Sequence, residues 1–322
     1  MSETVNWGVL GAADFAREHM APAIHMARGA RLAALATSHP DKAGPFRAFC
    51  PDLRVHDSYA ALLADPAIEA VYIPLPNSLH VEWTEKALDA GKHVLCEKPI
   101  ALRAGDIDRL IARRDATGLL AAEAYMIVHH PQWARIRKLI ETGAIGDLQH
   151  VNGVFTYDNS DDPDNIRNHR DTGGGGIPDI GVYPFGATRL ATGHEPEDIS
   201  ARIAWENGVD VRAEVNARFG EASFFALLSM RMQRYQEMTF QGTAGHIRVT
   251  APFNPGVYGE ARVEWRSGSD LTRVEHWPRD NQYVTQVENF CHSIRSGAPF
   301  PWRLEDARGT QMMIDRVFAA AG

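Results

Sequence analysis

Cysteine is scarce in this 322-residue chain, which holds three: Cys50, Cys96 and Cys291. With no CxxC pair and no dense framework, a disulfide-built secreted module is excluded and a reducing, cytoplasmic setting is expected. Excess positive charge is also missing. Thirty-three Lys and Arg against 41 Asp and Glu give a formal charge of −8, which argues against nucleic acid as a partner, since its recognition usually shows a basic face. The basic run Arg135-Ile-Arg-Lys138 reads as the solvated side of a helix. No apolar stretch approaches the ~18 residues that span a bilayer, so no membrane partner is expected. Met1-Ser-Glu-Thr-Val-Asn6 lacks the basic and apolar segments of a secretory leader. Repeats and low-complexity tracts are absent as well.

What is there reads as two ordinary globular domains. Apolar residues make up 44% and charged residues 23%, and the length is well above the ~150 residues typical of one domain. Up to residue 124, short apolar runs (5–10, 31–37, 71–74, 93–96, 119–124) alternate with helical patterns (12–28, a stretch from 41, 79–90, 106–117). Pro22 is expected to bend the first helix. That alternation predicts βαβ units on a parallel sheet, a Rossmann domain over 1–124. From residue 125 the runs lengthen (149–157, 211–219, 222–230, 238–241, 247–250), with turns at Asn207-Gly208 and Gly220. Few helices separate them, so residues 125–322 are expected to form an α+β substrate-binding and oligomerisation domain on a large, mostly antiparallel open sheet. Helices at 283–295 and 305–320 could pack back on either domain.

Gly11-Ala-Ala-Asp-Phe-Ala16 follows the first strand and opens the first helix. The dinucleotide fingerprint asks for Gly, Gly and Gly or Ala where this chain has Gly11, Ala13 and Ala16. Gly11 suits the tight turn, and the helix start, with Asp14 and Phe15, offers N–H groups to a pyrophosphate. Ala13 replaces the glycine of closest approach, so the motif alone leaves an ordinary strand-to-helix turn open; the βαβ setting favours a dinucleotide. The second strand ends in Thr37-Ser38-His39, with no acid before Asp41. NAD enzymes place a carboxylate there for the ribose 2′-hydroxyl. Its absence, with Ser38 and His39 able to donate to a 2′-phosphate, predicts NADP, with NAD as the alternative.

Cys96-Glu-Lys-Pro99 follows a buried strand at the sheet edge where ligands of such folds bind. Taken alone, Lys98 is an ordinary surface lysine. Gly173-Gly-Gly-Gly-Ile-Pro-Asp-Ile-Gly-Val-Tyr183 runs four glycines into a helix carrying Asp179 and, one turn later, Tyr183. A flexible loop with a capping aspartate and a core tyrosine is the plain alternative.

Together these pieces resemble the glucose–fructose oxidoreductase, inositol dehydrogenase and rhizopine-catabolism (Gfo/Idh/MocA) family. The likeness rests on Trp7-Gly-Val-Leu-Gly-Ala-Ala13, Pro76-Asn77 with His80, Ala90-Gly-Lys-His-Val-Leu-Cys-Glu-Lys-Pro99 and Glu123-Ala-Tyr-Met126 with His130-Pro131. It continues with Gly143-Ala-Ile-Gly146, the glycine run and Gly242-Thr-Ala-Gly245, so it covers about residues 5 to 310.

The resemblance implies roles position by position. Gly11, Ala13 and the turn after them hold the pyrophosphate, and Ser38 and His39 face the adenosine ribose. Pro76, Asn77 and His80 border the nicotinamide ribose, with Glu97 on its hydroxyls. Lys98, Asp179 and Tyr183 line the substrate pocket. A tyrosine at 183 and glycine at 186 resemble the branch of D-xylose dehydrogenase and dimeric dihydrodiol dehydrogenase, where tyrosine is the acid/base and lysine its helper. A free tyrosine has a pKa of about 10, so it needs that help near neutrality. The same resemblance implies a cis Lys98–Pro99 peptide and a homodimer or homotetramer. Val128 stands where sugar-oxidising relatives carry arginine, which loosens the assignment of a pyranose substrate. His129 and His130 point to opposite faces of an extended segment, and no metal is expected. Reduction of a dicarbonyl or ketosugar, or a catalytically silent cofactor-binding regulator, are the alternatives to a sugar dehydrogenase.

Overall fold

The computed structural model describes residues 4–268 and 271–321. Its contacts divide the chain into two units: the residues up to His129 together with Asn281–Arg308, and His130–Asp280 together with the chain from Gly309 onward. The reading from sequence set a single boundary at 124/125.

In the first unit the strands are β1 (Val5–Leu10), β2 (Ala30–Ala36), β3 (Arg54–His56), β4 (Ala70–Ile73), β5 (His93–Cys96) and β6 (Ala121–Glu123). They form one parallel sheet in the order β3-β2-β1-β4-β5-β6. Central strands covered on both faces must be apolar throughout, as β4 is, with all four residues buried. The order reverses between β1 and β4, which opens a crevice at their carboxyl ends, where ligands of open α/β sheets bind. The first helix is shorter than expected. Ala16–Met20 is a π turn, with the Ala21 N–H bonded back to the Ala16 carbonyl, and Ala21–Met26 is α-helical. Pro22 has no N–H for Glu18 and its ring crowds that carbonyl, so the wider turn takes up the misfit. The helix Gln282–Ser296 belongs to this unit: the Trp7 indole donates to Cys291 Sγ at 3.4 Å, and Arg28 pairs with Glu288 at 2.9 Å.

The second unit is built on an eight-stranded sheet in the order β14-β13-β12-β11-β7-β10-β9-β8. Its strands are β7 (Leu148–Asp158), β8 (Pro196–Glu206), β9 (Val209–Phe219), β10 (Ala222–Ser229), β11 (Arg231–Gly242), β12 (Gly245–Val249), β13 (Arg262–Ser267) and β14 (Leu271–His276). The β7–β10 pair is parallel and every other pair antiparallel. On β9, buried Val211, Ala213, Val215, Ala217 and Phe219 alternate with more exposed residues such as Arg212 and Asn216, the period-two pattern of a sheet covered on one side. Sequence reading missed β3, β8, β13 and β14. Three of these are sheet edges, where one neighbour suffices and polar residues are tolerated. Among the described residues no helix is long and apolar enough to cross a membrane.

Candidate active site

The first unit carries a dinucleotide cradle. Gly11 ends β1 at φ +110°, a conformation L side chains rarely adopt, and a Cβ there would stand 3.1 Å from the Leu75 side chain. Its N–H bonds the Ala36 carbonyl at 2.9 Å, tying the turn after β1 to the end of β2. The next helix begins at Asp14, whose carboxylate turns aside to Arg17 at 3.0 Å, while the Phe15 ring packs on His19 and Tyr283. What Asp14 and Phe15 can offer a ligand here is their main-chain N–H groups, which no helix satisfies in its own first turn. Beyond β2, the buried Thr37 accepts the His39 N–H at 3.1 Å and shapes a turn that exposes Ser38 and His39. The first carboxylate past the strand is Asp41. A narrow turn, a bare helix start and a ribose edge without an acid fit NADP.

Pro76 and Asn77 follow β4 at its carboxyl end, half-buried. His80 holds the two turns of this edge together. Expected beside the nicotinamide ribose, it is fully buried, with Nδ1 at 2.8 Å from the Pro99 carbonyl and Nε2 at 2.8 Å from the Leu75 carbonyl. With both ring nitrogens engaged by main chain, it ties the Leu75 turn to the Glu-Lys-Pro turn. That second turn follows β5, and its Lys98–Pro99 peptide is cis. Glu97 accepts from the Tyr72 hydroxyl at 2.6 Å and from the Lys98 N–H at 3.3 Å. Burial pushes its carboxyl up to about 7, against the pull of the Lys98 charge. Glu123 pins the turn from beyond, accepting the Ile100 N–H and the Trp302 indole N–H, each at 3.0 Å. Sequence reading noted Glu123 for its motif and missed this anchoring role.

The second unit holds the acid/base candidates. The π turn Ile177–Gly181 leads into the helix Val182–Thr192, and Asp179 and Tyr183 lie on either side of the join. Tyr183 is buried, its ring stacked on Phe253 at 5.3 Å and tilted against Phe155 at 5.5 Å. Asp179 accepts from the Tyr157 hydroxyl at 2.8 Å and pairs with Arg167 at 2.9 Å. Burial, with the Asp179 carboxylate beside it, holds the Tyr157 hydroxyl well above its usual range. Arg167, held firmly charged, is felt electrostatically by Asp179 first and also by Tyr157 and Tyr183. Tyr157, Arg167 and Tyr258 (with Arg234 over its ring at 5.4 Å) went unnoticed in the sequence, because a strand and two loops supply them with no local motif. A guanidinium is therefore present in this unit although position 128 lacks one. His129 and His130 serve the fold: His129 bonds Asn289 at 2.8 Å, and His130 accepts the Gln132 N–H at the start of a helix.

A parallel sheet with a glycine turn aimed at a dinucleotide, and a second unit presenting a tyrosine beside a carboxylate–guanidinium pair, define a nicotinamide-dependent oxidoreductase. Residues 5–125 match the oxidoreductase family with an NAD-binding Rossmann fold, and residues 133–248 match the GFO/IDH/MocA C-terminal domain. The chain belongs to the Gfo/Idh/MocA family. It is 42% identical to a dTDP-3,4-didehydro-2,6-dideoxy-alpha-D-glucose 3-reductase of Streptomyces violaceoruber, over 89% of this chain and 84% of that protein. It is 37% identical to an uncharacterized oxidoreductase of Rhizobium meliloti, over 99% and 97%. Its fold superposes with a TM-score of 0.91 on a 3-ketoreductase from Actinomadura kijaniata solved with NADP and TDP-benzene, at 29% identity and 98% coverage of both chains. The family's Rossmann fold takes a nicotinamide dinucleotide, and the Actinomadura kijaniata neighbour holds it as NADP.

Proposed function

We propose that this enzyme reduces the ketone of a sugar, free or nucleotide-linked, to a secondary alcohol. The observation that carries the reading is Tyr183, a phenol seated between two phenylalanines within the field of Arg167. NADPH, when bound, supplies the hydride to the carbonyl carbon. Tyr183 gives its hydroxyl proton to the carbonyl oxygen, so that the alcohol leaves neutral and the phenolate regains a proton from solvent. Arg167 is the cation within the second unit that favours that phenolate; Lys98, the helper that the family resemblance implies, belongs to the first unit. Asp179, bonded to Tyr157 and Arg167 one turn before Tyr183, is the carboxylate we assign to a substrate hydroxyl. The relatives that reduce dTDP-linked 3-ketosugars support the direction; oxidation of a sugar or polyol uses the same residues in reverse. The deciding experiment is a screen of dTDP-ketosugars with NADPH, and of aldoses, inositols and trans-dihydrodiols with NADP+ and NAD+. Binding of NADPH without turnover of any of them would return the chain to the class of silent, regulatory homologues.

We also assign a homodimer or homotetramer assembled through the open sheet, which exposes Trp205, Met232 and Tyr235. A monomer by light scattering at micromolar concentration would remove this assignment. A reducing cytoplasm fits three buried, unpaired thiols.

A further inference from the structure

The glycine run 173–176 has a role besides flexibility. The Gly174 N–H bonds the His169 carbonyl and the Gly175 N–H the Arg167 carbonyl, both at 3.0 Å, so the run is fixed. Gly175 adopts φ +118°, and a Cβ there would fall 2.2 Å from Oδ1 of Asp210. The other carboxylate oxygen accepts the Ile177 N–H at 2.5 Å, and Gly176 also donates to the group. Asp210 comes from β9, 33 residues further on, and is 2% exposed. Among the described residues it has no ion-pair partner. Its charge faces the first N–H groups of helix 177–192, where a helix favours an anion.

We propose that Asp210 is a positioning residue: its carboxylate fixes the start of helix 177–192, thereby setting where Asp179 and Tyr183 stand, and the glycine run is the backbone shape that this carboxylate requires. Alanine at 175 would displace the carboxylate, and a larger group at 210 would displace the run. The Asp179 N–H bonds the Gly175 carbonyl at 3.2 Å, so a shift at the run passes directly to the acid/base pair. The inference rests on Tyr183 being the proton donor.

The test compares Asp210→Asn with Tyr183→Phe, using NADPH titration, hydrogen exchange and turnover of whichever sugar the screen identifies. Asn keeps the shape, loses one acceptor and turns a donor toward the amides. For Asp210→Asn we expect exchange at Gly176 and Ile177 to quicken about ten- to a hundredfold, matching the loss of a charge-assisted bond. We further expect kcat to fall about tenfold or more, with KM for NADPH within about threefold. A dead Tyr183→Phe beside an Asp210→Asn with unchanged exchange and full kcat overturns the proposal. A fully active Tyr183→Phe overturns the function instead, while quickened exchange in Asp210→Asn would still uphold the anchoring. Should Asp210→Asn fail to fold, exchange in the unaltered protein decides: strong protection of Gly176 and Ile177 supports the anchor, and rapid exchange refutes it.

Discussion

The helix that starts at Asp14 and the helix that starts at Ile177 share a plan. A glycine at positive φ precedes each, Gly11 at +110° and Gly175 at +118°. Both pass through a π turn, Ala16–Met20 and Ile177–Gly181, and in both a proline follows shortly, Pro22 and Pro184. They differ in the anion before the first amides. In the first unit we assign the amides to the cofactor's pyrophosphate; in the second they hold the protein's own Asp210 carboxylate. The same local design thus makes a ligand site when the anion comes from outside, and a rigid mount when the chain supplies it.

If the second helix carries the chemistry, Tyr183→Phe should have the largest effect of all. Turnover is expected to fall about 100- to 10,000-fold, the usual contribution of an acid/base group, with NADPH affinity unchanged by fluorescence titration. Retention of more than about a tenth of the activity would pass the role to another donor. Alanine at the two glycines separates the helices. Gly11→Ala should weaken NADPH binding about tenfold or more, because strain of about 1–2 kcal/mol falls on the cradle itself. Gly175→Ala should leave that affinity within about threefold and lower the melting temperature instead.

A smaller effect concerns the cofactor edge. With Ser38 and His39 where a carboxylate would reject a 2′-phosphate, kcat/KM should favour NADPH over NADH by about tenfold or more, roughly 1.4 kcal/mol. A preference for NADH in steady-state assays would refute this. The smallest effect is on pH. Burial raises the Asp210 and Glu97 carboxyls to about 7, well above their unfolded range. Between about pH 4.5 and 7 the folded protein therefore holds more protons at these groups than the unfolded chain. Their contribution to stability is full at the acid end and is lost as pH rises through 7. Burial holds His129 and His130 at about 3 and about 4, which acts in the opposite sense below about pH 6.5. The readout is accordingly a difference. Relative to Asp210→Asn, the unaltered protein should lose on the order of 1–3 kcal/mol between pH 5 and 8 in denaturant titrations. Parallel curves would show that Asp210 does not titrate there.

Most of the first unit was legible in the sequence because its strands are buried on both faces: His93–Cys96 reads as a strand and is one. Arg54–His56 and Pro196–Glu206 were not, because edge strands carry polar residues that resemble loops. At the site, Gly11, Lys98, Asp179 and Tyr183 stood out through their motifs. His80 was visible as a motif residue, but its burial between two carbonyls depends on turns 5 and 19 residues away. Asp210 gave no signal, since its meaning comes from amides 33 positions earlier.

The three thiols named at the outset all fall in one unit. Cys50, Cys96 and Cys291 are buried there, and burial raises all three above the usual thiol range, Cys96 most strongly and Cys291 to about 11. A small alkylating reagent can therefore modify them only when the Rossmann half opens. The unit that carries Tyr183 has no thiol to answer. Labelling rates thus time the breathing of one half against a silent background, with no engineered probe, and show directly how far NADPH slows it.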